Sequence, residues 1–185
     1  MIVILRLLGV FNAAVWLGAA IFFTFGVAPV FFTLETKRLL GETLGGITAI
    51  LVLERYFALN YLCGAIALVH QFAGWVYLGR QLQRFTWGLL LGILGVGFVS
   101  GLVLQPKLQK LHQAKYGYTR TTGGFARGAT PAPAQRAAAE ASFKTWHAVS
   151  QVINLLTLGG LAVYFWRLAN PSDGTRFSST AKFRS

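Results

Sequence analysis

Four long apolar runs separated by polar intervals dominate the chain. The first extends from Leu7 to Phe32 and is interrupted only by Asn12 and Thr24. A run of roughly 18 or more apolar residues is what a helix needs to cross the hydrocarbon core of a bilayer. The pattern predicts spans over about 3–32, 56–78, 85–104 and 146–168. Gly26 and Pro29 lie near the far end of span 1 and predict a kink or break there. The expected fold is an all-α membrane protein, a four-helix transmembrane bundle forming a single domain over residues 1–169. Residues 170–185, "NPSDGTRFSSTAKFRS", read as a basic, disordered tail.

The intervals carry their own signals. "LETKRLLGETLGGITAILVLER" has a charged first half and an apolar second half too short to cross a bilayer. It predicts an interfacial amphipathic helix. "GRQLQR" is a short basic turn between spans 2 and 3. "QPKLQKLHQAKYG" extends span 3 as a helix that stops at Gly117. "YTRTTGGFARGATPAP" reads as a flexible loop. "AQRAAAEASFKTW" is helical by propensity and runs directly into span 4. A helix over 133–168 would be about 54 Å long, against a hydrocarbon core of roughly 30 Å. Spans 3 and 4 are therefore expected to project from the bilayer as a helical hairpin.

Four crossings put both termini on one face, side A; the opposite face is side B. Span 3 contains Gly88, Gly92, Gly95, Gly97 and Gly101, with two pairs at GxxxG spacing. Small residues at that spacing let helices approach closely. The expected use is packing inside the bundle, and the second use is a homo-oligomer contact.

Polar residues within the spans are the candidate chemistry, because they are costly in lipid without partners. His147, Ser150, Asn154 and Thr157 share one face of span 4, flanked by Gln151. In span 2, Asn60, Gly64, Ala67 and Gln71 share a face, and Glu54 and Arg55 stand at its head. The candidate polar site near side B is thus His147, Ser150, Asn154, Asn60, Glu54 and Arg55. Ser, Asn and Gln serve equally well as glue between helices.

Composition narrows the classes. Hydrophobic residues make up 55% of the chain and charged residues only 12%, where soluble domains carry about 25% charged residues. The net charge of +12 resides in loops and tails around the spans, where it suits anionic lipid headgroups better than nucleic acid. No nucleic-acid partner is expected, and no protein partner can be named. The single cysteine, Cys63, excludes an internal disulfide and a CxxC metal site. His112 and His147 are weak metal candidates that could meet at side B near Glu54, but their spacing does not demand it. No cofactor is expected. HExxH, P-loop and GxSxG motifs are absent, so no enzyme activity is expected. The short basic turn favours cytoplasmic termini.

These residues resemble a known family. "FKTWHAVSQVINLL" is similar to the F-x-x-x-H-x-x-S-x-x-x-N-L signature in the last span of the transmembrane protein 205-like family. "FGVAPVFF" and "LERYFALNYLCG" resemble the end of its first span and the start of its second. Glu54 stands where that family has a proline that breaks the chain. The resemblance covers most of residues 5–168. It implies a four-span membrane protein of unestablished activity; the expected role is that of a transport or accessory component, in the cytoplasmic membrane if the protein is bacterial. It also implies that His147, Ser150 and Asn154 matter as a set. The alternative is a metal- or haem-associated membrane redox protein.

Overall fold

A computed structural model describes residues 2–78, 84–122 and 124–170. Most of the basic turn at 79–84 and nearly all of the tail at 170–185 lie outside the described residues. Span 1 is α1 (Ile2–Ile21), continued by a π-helical segment (Phe22–Val27) and a 3-10 segment (Ala28–Phe32). The break therefore falls where Gly26 and Pro29 predicted it. Next come α2 (Leu34–Leu78), α3 (Arg84–Val99) with a π-helical end (Ser100–Leu104), and α4 (Gln105–Tyr116). A hairpin of β1 (Tyr118–Thr121) and β2 (Gly124–Arg127) leads to α5 (Pro133–Ala169).

Among the described residues, four helices are long and apolar enough to cross a membrane. The protein is an all-α, multi-pass membrane bundle. Its outer surface is apolar, with Phe11, Phe22, Leu102 and Leu156 all exposed, as expected where lipid replaces water. The shared core is Ala13, Trp16, Ala20, Cys63, Ala67, Leu90, Ile93, Leu161 and Tyr164. Alanines and a cysteine bring the backbones close enough for van der Waals packing, which drives helix association in lipid. At side A, Arg6 donates to the Ala169 carbonyl, and Arg167 donates to Thr86 while lying over the Phe85 ring.

The structure corrects three expectations. The amphipathic interval is not one interfacial helix. Helix α2 breaks at Gly41, whose φ of 68° and ψ of 169° suit glycine alone. Residues 34–40 form the short arm before the break. Residues 42–78 run on as one helix of roughly 55 Å, through Glu54 without interruption, as the missing proline permits. Second, the presumed loop contains the β1–β2 hairpin, antiparallel with Tyr118 opposite Arg127. Third, a Cβ at Gly88, Gly92, Gly95 or Gly97 would meet nothing. Span 3 buries Thr86, Leu90 and Ile93 instead, and its glycines line an open groove with Ile153 and Thr157 of span 4. Gly101 alone of the five is tightly packed, against Tyr61.

Past the apolar stretches, three helices continue on side B: the start of α2 from residue 42, α4, and α5 up to about residue 145. Together with the hairpin they form a cap. Helix α4 stops at Gly117, which is left-handed and donates to the Gln113 carbonyl.

Candidate functional site

The polar stripe of span 4 faces inward. Asn154 Nδ2 donates to Thr24 Oγ1 at 2.8 Å, joining span 4 to the π-helical segment of span 1. A π turn holds an extra residue, which shifts the helical phase and brings Thr24 toward span 4. Ser150 and Thr157 turn back on their own helix, donating to the carbonyls of His147 (2.7 Å) and Ile153 (2.9 Å). Gln151 is exposed and lies 3.3 Å from His147 through their Nε2 atoms.

Asn60 is not part of that stripe. It accepts from the indole Nε1 of Trp16 in the bundle core. Asn12 donates to the Cys63 carbonyl at 2.9 Å one turn away on the same interface. Glu54 also leaves the group: its carboxylate takes both terminal nitrogens of Arg120 on the hairpin. A forked pair of this kind fixes geometry as well as charge. Arg55 is exposed. Five of the six candidate residues therefore divide among a span 1–4 seam, a span 1–2 seam and a clamp between hairpin and helix, and Arg55 stands apart.

His147 begins a column of rings that runs into the cap. Phe32 lies 5.6 Å from it, and Phe143 stacks on it at 5.7 Å with planes 8° apart. Phe143 next meets His112 at 6.0 Å, and His112 Nδ1 is hydrogen-bonded to Tyr118 Oη at 2.7 Å. His112 is buried, and its ring occupies the space a Cβ at Gly46 would need. One turn along α4, Tyr116 donates to Glu42 at 2.7 Å. Lys107 lies over the Trp146 ring at 3.5 Å, and Lys115 pairs with Glu140 at 3.7 Å. Every side B element is thereby tied to another.

His112 and His147 are the weak metal candidates of the sequence, with Glu54 nearby. In the structure the Phe143 ring stands between the histidines and Arg120 holds Glu54. Among the described residues no three His, Cys, Asp or Glu side chains come together.

The cap also tunes its own groups. Residues 105–116 carry three lysines and lie beyond the apolar part of span 3. Burial, helped by Lys115, lowers the His112 pKa to about 4, with Glu42 opposing. The Tyr116 hydroxyl holds the Glu42 carboxyl below its ordinary value. Burial pushes Tyr118 up to about 12. At neutral pH His112 is thus a neutral imidazole bonded to a neutral phenol.

Sequence reasoning missed Trp16, Tyr118, Arg120, Glu42 and Gly46. Asn12 and Thr24 were visible as the two interruptions of the first apolar run. The others carried no signal, because their partners come from distant parts of the chain.

No curated protein and no solved structure matches the chain. One family model does, over residues 11–117, which takes in most of span 1, spans 2 and 3, and α4. That stretch includes Asn12, Trp16, Thr24, Gly46, Asn60 and His112, and ends before His147. The chain belongs to the family described as Domain of unknown function (DUF4149).

Proposed function

We propose that this protein is a non-enzymatic accessory component of a membrane and that its working surface is the side B cap. The observation that carries this reading is the ring column Phe32–His147–Phe143–His112–Tyr118, which makes cap and bundle one body. The polar groups at membrane depth support it too. Asn12, Asn60 and Asn154 are each engaged by a neighbouring helix, so these amides act as seams between helices. The likeness of "FKTWHAVSQVINLL" to the transmembrane protein 205-like signature fits this reading. The membrane, if the protein is bacterial, is the cytoplasmic one on this reading, with the termini on the cytoplasmic side. Self-association, on this reading, uses the open glycine face of span 3.

The test is the protein's size at native expression, extracted in its own lipid. The expected result is an assembly with another membrane protein that is lost on reversing the exposed cap charges Lys110 and Arg127. A protein that is monomeric and alone in its lipid disc would contradict the proposal. A Soret band or stoichiometric metal in the purified protein would favour a redox role instead.

A further inference from the structure

Residues 34–55 and 105–145, the two side B connections, hold ten lysines and arginines against four glutamates. Most of those glutamates are engaged within the cap. Glu54 pairs with Arg120, Glu140 lies between Lys115 and Lys144, and Glu42 accepts from Tyr116. Part of the positive excess converges on Glu42. Lys37 from the arm, Lys115 from α4 and Arg136 from α5 all lie close enough to act on its carboxylate. Glu42, Lys37 and Arg136 are exposed, and neither Lys37 nor Arg136 belongs to an ion pair among the described residues. Three elements thus bring one cation each to a single exposed carboxylate.

Lipid headgroups do not account for this charge. Arg136 precedes Trp146, where the apolar stretch of span 4 begins, by ten residues, about 15 Å of helix. Tyr116 follows Leu104, where that of span 3 ends, by twelve residues, about 18 Å. The headgroup layer on each side is only about 5–8 Å deep, and the Debye length at physiological salt is about 8 Å. The Glu42–Tyr116 pair therefore stands at or beyond the reach of both together. A nucleic-acid backbone calls for a continuous positive stripe, and here Glu42 and Glu140 interrupt it. Discrete carboxylates on a protein segment can instead pair with the cations one by one.

We propose that the Glu42–Tyr116 corner of the cap is a docking site for an acidic segment of a partner protein, whose carboxylates pair with Lys37, Lys115 and Arg136. This rests on the reading of the cap as the working surface and names the chemistry of its partner. Complementary charges of this kind speed and orient the encounter. Glu42 competes with the incoming carboxylates for the same cations.

The test is fluorescence anisotropy of a labelled decaglutamate peptide, added to the full chain in nanodiscs of neutral phosphatidylcholine. Binding should weaken several-fold between low salt and about 0.3 M salt. Lys37→Gln with Arg136→Gln should weaken it about tenfold, whereas Arg55→Gln with Lys107→Gln, an equal change of charge nearer the bilayer, should alter it less than about twofold. Glu42→Gln, which keeps an acceptor for Tyr116, should tighten binding several-fold. Equal losses in the two double variants overturn the proposal, because the peptide would then sense only net charge. Unchanged or weaker binding in Glu42→Gln overturns it as well. So does a decathymidylate oligonucleotide that binds more tightly than the peptide, which would assign the surface to nucleic acid. In native lipid, an assembly that survives Lys37→Gln with Arg136→Gln overturns this site and leaves the reading of the cap standing. A chain found alone there overturns that reading, and with it the partner named here.

Discussion

Asn154 and Asn60 are both amides at membrane depth, yet their removal should cost different amounts. Asn154→Leu takes a donor from Thr24, whose hydroxyl can turn to a carbonyl of its own helix. The expected loss is about 1 kcal/mol, within the range of interhelical bonds in lipid. Asn60→Leu instead strands the buried indole N–H of Trp16, and the expected loss is about 1–3 kcal/mol. Reversible unfolding in bicelles measures both, and equal losses would contradict the pairing. The His112 site gives a pH dependence. Its folded pKa lies below the unfolded value, so the unfolded cap binds the proton more readily. That contribution is fully present above about pH 6.5 and is lost as pH falls toward 4, on the order of 3 kcal/mol in all. Glu42, also depressed, acts in the same direction. Cap stability followed by amide exchange should fall between pH 7 and 4, and His112→Phe should flatten that part of the profile. The spacing of residues 147, 150, 154 and 157 was enough to show that the stripe shares one face. It could not name Thr24 as partner, because a π turn leaves no mark on the hydropathy pattern and yet resets which residues of span 1 face span 4.

At the level of elements, glycines separate what the sequence shows from what packing decides. GxxxG spacing in span 3 is plain to read, but spacing does not say which way a helix is rotated. Leu90 and Ile93 face the bundle and the glycines do not. Gly97→Leu is therefore expected to change bundle stability by less than about 0.5 kcal/mol. Gly46→Ala should behave oppositely. Its methyl would enter the His112 ring, which Tyr118 and Phe143 hold in place. Overpacking of this kind costs about 1–3 kcal/mol. Amide exchange across residues 105–116 should rise in Gly46→Ala and stay unchanged in Gly97→Leu. Gly41 is the hinge of the arm at residues 34–40, and Gly41→Ala should swing that arm because alanine is strained at its φ and ψ. Spin labels at residues 37 and 50 would report a changed distance. The hairpin was hidden for a different reason. Its strands are four residues each and hold only Tyr118 and Phe125 as large apolar side chains, so they lack the alternation that marks a strand.

For the whole molecule, hydropathy was decisive because lipid imposes one requirement on every span: about 20 apolar residues of helix. The cap obeys no such rule. It forms because helices too long for the bilayer must continue together, and because Glu54, Glu42 and His112 find partners on the elements that return. The account stands on this arrangement of four crossings with the cap on one face. Single cysteines at residues 6, 84, 42, 120 and 136, in a chain carrying Cys63→Ala, test it with a membrane-impermeant thiol reagent. Residues 6 and 84 should label from one side of the membrane, and residues 42, 120 and 136 from the other. Labelling of 84 and 120 from the same side would contradict it.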